Sequence, residues 1–279
     1  MVQAQPTVRQ LTRGLGGART AFQTAVRVAK VQAREVALML SVPATAPVRL
    51  IRGDYETANA VESQPPARAS AQPPVLLVHG FGGGKSSWSS VAQALRARGL
   101  SVDAMAYAPA GNSVEQLAGR LVDHVQTMLF STGAAKVHLV GHSLGGVIIA
   151  QAISDPRLRG RVDTVITLGS PFGGSPWADA LPVVDMVRAL RAGSPLLSRL
   201  ASTPLPEGVR WLSVTAALDI VVPGLRSVPP HPQAKTVTIS GVGHLGMLLS
   251  PHVIRYITAA LCAEPSATDA EPAVLQNAS

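Results

Sequence analysis

The sequence predicts an α/β fold in which a mostly parallel sheet is flanked by helices on both faces. Short runs rich in β-branched and other apolar residues alternate along the chain with longer runs of helical period. Of the 279 residues, 47% are hydrophobic and 14% are charged, which is a globular composition with enough apolar material for a sizeable core. We therefore expect one large α/β domain with appendages.

Six segments have the length and composition of buried strands. We expect strands at Val75–His79, Val102–Tyr107, Val137–Val140, Val162–Leu168, Val209–Thr215 and Thr236–Ser240. Helical segments fall between them or after the last one, near Trp88–Arg98, Val114–Phe130, Leu144–Ser154 and Pro251–Leu261. The run Val48–Ile51 is either an extra edge strand or part of the N-terminal arm. Parallel neighbours of this kind are joined by right-handed crossovers.

The net charge of +8 is concentrated at one end of the chain. Before Asp54 there are eight Lys and Arg residues against the single acid Glu35, and the remainder has sixteen basic against fifteen acidic residues. The body therefore lacks the basic block that phosphate contacts require, and we expect no nucleic-acid partner. The single cysteine, Cys262, excludes an intrachain disulfide.

Residues 1–56 are predicted to form a basic arm that contains an amphipathic helix. Its apolar face is expected at Leu15, Ala18, Phe22, Ala25, Ala29, Ala33, Val36 and Leu40, with Arg19, Arg27, Lys30 and Arg34 between them. Three interpretations stay open. The helix packs on its own catalytic domain or on a partner, or it makes peripheral contact with an anionic membrane surface. In the third, Val36–Val42 and Ala44–Ala46 are the apolar region and cleavage site of an atypically long signal sequence.

The other boundaries follow from composition. Residues 57–74 are a Pro/Ala-rich loop or linker, 75–262 the catalytic domain and 263–279 a disordered tail. Within the domain, residues 173–208 form an insertion that is either a mobile lid or a helix packed on the sheet. No segment approaches the length of a transmembrane helix. We expect a cytoplasmic or peripheral membrane location, with secretion left open.

A serine stands at the apex of a predicted strand, sharp turn and helix. The run Gly141-His142-Ser143-Leu144-Gly145-Gly146 follows the apolar stretch Val137–Val140 and precedes another. The flanking glycines are needed because side chains there would clash with the adjoining strand and helix. The free N–H groups at the start of the helix favour negative charge beside Ser143, which suits a nucleophile.

A second glycine-rich turn, His79-Gly80-Phe81-Gly82-Gly83-Gly84-Lys85-Ser86, follows the first predicted strand. A phosphate-binding loop would need glycine where His79 stands, so nucleotide binding is disfavoured. The turn instead suits half of an oxyanion hole, with the Phe81 and Leu144 amides as the two donors. We expect His79, Gly80, Gly141, His142 and Gly145 to support this arrangement.

The acid and the base are sought after later strands, since sites in open α/β sheets form outside the carboxyl ends of the strands. Asp219 fits the acid and His244, in Gly241-Val242-Gly243-His244-Leu245-Gly246, fits the base. Weaker candidates are Asp163, Asp179 and Asp185 for the acid, and His231 and His252 for the base. We expect His142 to pack beneath the serine turn.

Four segments together resemble the bacterial triacylglycerol lipase and esterase group of the α/β-hydrolase superfamily. They are His79-Gly80-Phe81-Gly82-Gly83, the Ser143 run, Thr167-Leu168-Gly169-Ser170-Pro171-Phe172-Gly173-Gly174, and Asp219-Ile220-Val221-Val222-Pro223 with Gly243-His244. The likeness covers roughly residues 74–261. Ser170-Pro171-Phe172 stands where many relatives have Thr-Pro-His, which should alter the pocket wall but not the triad. The resemblance implies the α/β-hydrolase fold and the chain order Ser143, Asp219, His244.

The expected reaction is hydrolysis of a carboxylic or lipid ester through an acyl-enzyme on Ser143. No cofactor and no metal are expected, because the chain has no acidic cluster for calcium. Two alternatives stay open, namely an acyltransferase or thioesterase on the same fold, and a noncatalytic interaction protein.

Overall fold

The computed structural model describes residues 23–35, 72–109, 111–180 and 185–262. The rest of the predicted arm, the linker up to residue 71, the Val48–Ile51 run, the proposed cleavage site and the predicted tail lie outside the described residues. The division of the chain into arm, linker, domain and tail stays a prediction.

The described residues form a six-stranded sheet whose neighbouring strands are all parallel. The order across the sheet is β2-β1-β3-β4-β5-β6. The strands are β1 (Val75–Val78), β2 (Val102–Met105), β3 (Val137–His142), β4 (Val162–Leu168), β5 (Arg210–Ala216) and β6 (Lys235–Ile239). The predicted α/β class and all six predicted strands are confirmed, with ends that move by one or two residues.

The central strands carry apolar residues on both of their faces, which favours buried strands in a parallel sheet. Every residue of β1 is buried, and alternate side chains enter opposite cores: Leu76 and Val78 one, Val75 and Leu77 the other. A strand covered on both faces is continuously apolar, as parallel strands usually are. At the edge, β6 is only partly buried.

Helices cover both faces of the sheet. They are α1 (residues 23–35), α2 (Ser89–Arg96), α3 (Val114–Thr132), α4 (Leu144–Ala152), α5 (Pro176–Ala180), α6 (Asp185–Arg188), α7 (Pro195–Ser202) and α8 (Pro251–Cys262). The ends of α3 follow from local chemistry. Ser113 and Gln116 form a reciprocal capping box at its start, and Gly133, with φ of 67°, ends it in the left-handed region.

The strand order creates the cleft where a site can form. β1 pairs with β2 on one side and with β3 on the other, so the chain reverses its direction of travel across the sheet at β1. At such a switch point the loops after the neighbouring strands diverge and leave a crevice. The glycine-rich turn after β1 and the serine turn after β3 therefore come out side by side.

The insertion at residues 173–208 contains α5, α6 and α7. Leu196, Leu197 and Leu200 of α7 are buried in the same core as α3 and α4. Trp177 on α5 is 45% exposed, and its indole N–H donates to the Ile220 carbonyl oxygen at 3.0 Å. The insertion thus comprises a packed C-terminal helix and an N-terminal part that borders the loop after β5.

Within the described part of the arm, the predicted apolar face of α1 is not the face that is buried. Ala25, Ala29 and Ala33 are exposed, whereas Val28 and Val31 are half-buried and Glu35 is buried. An alanine methyl group has little apolar area to bury, so the larger valine side chains determine which face of the helix is buried. No helix among the described residues has both the length and the apolar character needed to cross a membrane.

Candidate active site

Ser143 lies at a strained turn between β3 and α4. Its φ is 53° and its ψ is −123°, and it is the one residue other than glycine with positive φ in the described ranges. The Ser143 N–H donates to the Leu168 carbonyl oxygen at 2.9 Å, which ties the turn to the end of β4. Backbone strain of this kind is held only where the surroundings over-determine it, and it aims the serine side chain out of the sheet.

Close packing, rather than backbone freedom, explains the glycines around Ser143. A Cβ on Gly141 would lie 2.6 Å from the Gly146 nitrogen. One on Gly145 would lie 2.1 Å from the Val78 carbonyl oxygen of β1. These are backbone contacts that cannot move aside, so strand and helix approach each other here only without side chains.

Asp219 and His244 are paired at the same edge of the sheet. Asp219 Oδ2 lies 2.7 Å from His244 Nδ1, and both residues are buried. The other carboxylate oxygen, Oδ1, accepts the Val221 and Val222 amides at 2.8 and 2.7 Å. Because an ionised carboxylate only accepts, His244 carries its proton on Nδ1, which leaves the Nε2 lone pair available as a base.

A further histidine, the residue before Ser143, contacts His244. His142 Nε2 donates to the His244 carbonyl oxygen at 3.1 Å, and the two rings lie 4.7 Å apart, centroid to centroid. Burial lowers the pKa of His142 well below its ordinary value, and the neighbouring His244 lowers it further. His142 is therefore neutral. The sequence indicated that His142 packs beneath the turn, but carried no signal for a contact with a residue 102 positions away.

The glycine-rich turn after β1 lies against the serine. A Cβ on Gly80 would be 2.9 Å from the Ser143 Cβ and 3.0 Å from His142 Nδ1. The Gly83 N–H donates to the Gly80 carbonyl oxygen at 3.1 Å and closes the turn over Phe81. Leu144 is the first residue of α4, so its N–H has no partner within the helix. Of the two residues whose amides are predicted oxyanion donors, Leu144 follows Ser143 directly, and Phe81 follows Gly80, the residue that lies against Ser143.

His79 and Tyr107 support that turn from inside. Their rings stack with centroids 4.0 Å apart, and the Tyr107 hydroxyl donates to the His79 carbonyl oxygen. Burial lowers the pKa of His79 to about 4, although its hydrogen bond with the Gly80 carbonyl oxygen acts in the opposite sense. Burial likewise raises the pKa of Tyr107. Both side chains are therefore uncharged at neutral pH and fill the space beneath the turn.

Comparison with known proteins agrees with this geometry. Residues 73–211 match the family model described as "alpha/beta hydrolase fold". A crystal structure of a Bacillus licheniformis lipase in its mature form superposes with a TM-score of 0.63 at 19% identity, over 71% of this chain and 96% of that one. The chain has the α/β-hydrolase fold. The predicted fold class is thereby confirmed.

Among curated proteins, this chain is similar to bacterial lipases. A triacylglycerol lipase of Vibrio cholerae serotype O1 is 31% identical over 179 residues, which are 62% of this chain and 52% of the relative. A triacylglycerol lipase of Pseudarthrobacter phenanthrenivorans is 35% identical over 121 residues, 40% of this chain and 37% of the relative. The chain therefore spans about half the length of the first relative and less of the second.

The weaker candidates for acid and base lie away from the Asp219–His244 pair. Asp163 on β4 faces Lys136 and His138. Asp179 and Asp185 are exposed and pair with arginines of the insertion. His231 lies against the Trp211 ring, and His252 forms a hydrogen bond with Arg255 on the C-terminal helix. In the described ranges, no group of three or more His, Cys, Asp or Glu side chains could hold a metal ion.

Proposed function

We propose that this α/β hydrolase cleaves carboxylic esters through Ser143, His244 and Asp219. The observation that carries the proposal is the buried Asp219–His244 pair, with its 2.7 Å bond, held by His142 next to the strained Ser143 turn. A nucleophile, a base with a fixed tautomer and an acid that orients the base are what acyl transfer at a serine requires.

In the first step His244 Nε2 takes the Ser143 proton as the hydroxyl oxygen attacks the ester carbonyl carbon. The charge on the carbonyl oxygen is accepted by the Phe81 and Leu144 N–H groups. As the intermediate collapses, the bond to the alcohol oxygen breaks and His244 returns its proton to that oxygen. Water then attacks the acyl-enzyme by the same route, which releases the carboxylic acid and restores Ser143.

Exposed apolar side chains support a lipid-like substrate. Of the five large hydrophobic side chains exposed among the described residues, four lie on or beside the loops of the site: Phe81 (41%), Trp177 (45%), Leu225 (86%) and Leu249 (43%). The fifth, Phe130, lies near the end of α3. Clustered apolar side chains around a polar cleft are typical of a surface that meets an apolar ligand.

The first test is ester hydrolysis by Ser143→Ala, with Ser131→Ala, an exposed serine near the end of α3, as the matched control. Ser143→Ala should lose turnover of short p-nitrophenyl esters while it keeps its cooperative thermal unfolding, and Ser131→Ala should match the parent. Unchanged turnover by Ser143→Ala would refute the proposal.

The substrate class is tested with a series of acyl chain lengths and an emulsified triacylglycerol. Leu225→Ser and Leu249→Ser should lower activity on the emulsion more than on a short soluble ester, because only the emulsion contacts the exposed apolar side chains. Phe130→Ser should change neither activity. Equal loss on both substrates, or none, would contradict a lipid-facing role. Added alcohol that diverts the acyl group from water would instead favour the acyltransferase alternative.

Contact of the arm with an anionic lipid surface is also proposed. Arg27, Lys30 and Arg34 of α1 are exposed, which supports it. Replacement of all three by Gln should abolish sedimentation of the protein with phosphatidylglycerol vesicles. Sedimentation that persists in the variant would show that these cations do not mediate the lipid contact.

A further inference from the structure

Glu35, on the N-terminal helix, reaches the loop that carries His244. It is the last described residue of α1 and is 1% exposed, whereas Arg34 beside it is exposed. Its carboxylate oxygens accept the backbone N–H groups of Leu245 and Gly246, each at 2.8 Å. These are the two residues directly after His244.

The two amides need an acceptor from outside the loop. Leu245 precedes and Gly246 begins a short 3₁₀ turn, Gly246–Leu248, and the first N–H groups of a helical turn have no partner within it. In this turn the Met247 and Leu248 amides donate to the Gly243 and Leu245 carbonyl oxygens, so the first unpartnered donors fall on Leu245 and Gly246. A carboxylate at this position also meets the positive end of the turn. Glu35 therefore caps this turn from 210 residues away.

The glycines on both sides of His244 make room for this carboxylate. A Cβ on Gly243 would lie 2.4 Å from Glu35 Cγ, and one on Gly246 would lie 2.7 Å from Glu35 Oε1. Neither glycine has its φ in the left-handed region, so backbone freedom does not explain them. These glycines admit a close contact that fixes the loop.

We propose that Glu35 is a positioning residue that holds His244 in the place where it can take the proton of Ser143. This inference rests on the proposed function of the site. His244 is held by Asp219 at its ring, by His142 at its carbonyl oxygen and by Glu35 through the next two amides. The first two contacts come from the sheet domain, and the third comes from the arm. The arm thus completes the active site, and the base is misaligned when Glu35 is removed.

The decisive variant is Glu35→Gln in the full chain, because glutamine fills the same space but offers one acceptor oxygen in place of two. Its NH₂ group would oppose one of the loop N–H groups. We expect kcat on a short soluble ester to fall by up to about 100-fold, as small misplacements of catalytic groups do, with KM nearly unchanged. The rate of fluorophosphonate labelling should fall in parallel. Glu207→Gln, an exposed glutamate, and Gln32→Ala, an exposed residue on the same helix, are controls that should match the parent.

Gly243→Ala removes the contact between Glu35 and the His244 loop in an independent way, since its new Cβ would displace the Glu35 side chain. It should reproduce the loss in kcat. The double variant Glu35→Ala/Gly243→Ala should be no worse than Glu35→Ala alone, because both changes remove one interaction. Additive losses would contradict the shared mechanism.

Ser143→Ala and His244→Asn, measured alongside, separate the two proposals. If both are inactive while Glu35→Gln keeps the parent kcat, the role of Glu35 is overturned and the proposed function stands. If Ser143→Ala keeps its turnover, the proposed function fails, and the positioning role of Glu35 fails with it. Loss of kcat in Glu35→Gln with an unchanged melting temperature supports the inference.

Discussion

The replacement Asp219→Asn separates the catalytic role of Asp219 from its structural one. Asp219 Oδ1 accepts two loop amides, and Oδ2 accepts the His244 Nδ1–H. In the asparagine variant the amide oxygen can keep both loop bonds, while the NH₂ group faces Nδ1. Nδ1 must then accept, so the proton moves to Nε2 and His244 can no longer take a proton from Ser143.

The loss should be large in rate and small in stability. A wrong tautomer in a triad of this kind lowers kcat about 10⁴-fold, which corresponds to about 5 kcal/mol of activation free energy. Because the Val221 and Val222 amides stay paired, the melting temperature should change little. Asp219→Ala should also destabilise the fold, because two buried N–H groups lose their acceptor at about 1–3 kcal/mol each.

The assay is kcat for a p-nitrophenyl ester together with thermal unfolding by circular dichroism. Asp163→Asn is the matched control, since Asp163 is a partly exposed carboxylate near the start of β4. It should keep the parent kcat. If Asp219→Asn stays within tenfold of the parent, or if Asp163→Asn shows the large loss, Asp219 is not the acid that orients His244.

Three further predictions concern stability and the oxyanion turn. Gly145→Ala should lower the free energy of unfolding by at least about 1–3 kcal/mol and remove most activity, because its Cβ meets the Val78 carbonyl oxygen. Gly119→Ala in α3, which has open space around it, should instead raise the free energy of unfolding by roughly 0.5–1 kcal/mol. Equal effects of the two variants in urea titrations would refute the packing argument. A histidine has a pKa of about 6.5 in the unfolded chain, whereas burial lowers the pKa of His79 to about 4 in the folded protein. The unfolded chain therefore binds the proton first, and His79 should lower the free energy of unfolding by about 3 kcal/mol as the pH drops through that window. His79→Gln should make this pH profile less steep, although buried His142, whose pKa is also lowered, keeps contributing in the same direction; a profile parallel to that of the parent would contradict the assignment. Tyr107→Phe leaves the His79 carbonyl oxygen without its donor, so both stability and kcat should fall; a drop in neither would show that the hydroxyl does not support the turn.

The sequence predicted the parts of the site that have local signals. Ser143 lies in a glycine-framed turn between two apolar runs, and Asp219 and His244 each follow a strand, so order and position identified all three candidates. The strands could be predicted from the sequence equally well, because buried parallel strands are continuous apolar runs. The structure pairs Asp219 with His244 and places His142, the neighbour of Ser143, against His244, whereas the sequence could only place each residue after a strand.

The contacts that hold His244 had no such signal. Glu35 and His142 act through backbone groups more than 100 positions away, and neither periodicity nor motif records such a bond. For the same reason the apolar face of α1 was assigned to alanines within residues 23–35, although the residues buried or half-buried there are three valines and a glutamate. Gly243 and Gly246 carry a weak signal of this contact in the sequence, since a glycine can mark a place where another chain segment approaches closely.

The most direct test of the central claim is to locate the acyl-enzyme nucleophile. A fluorophosphonate probe on the full-length protein, followed by proteolysis and mass spectrometry, should place one adduct on Ser143. Labelling should be lost in Ser143→Ala and strongly slowed in Asp219→Asn, whereas Ser131→Ala should label like the parent. An adduct on a different residue, or none from an enzyme that hydrolyses esters, would contradict the account.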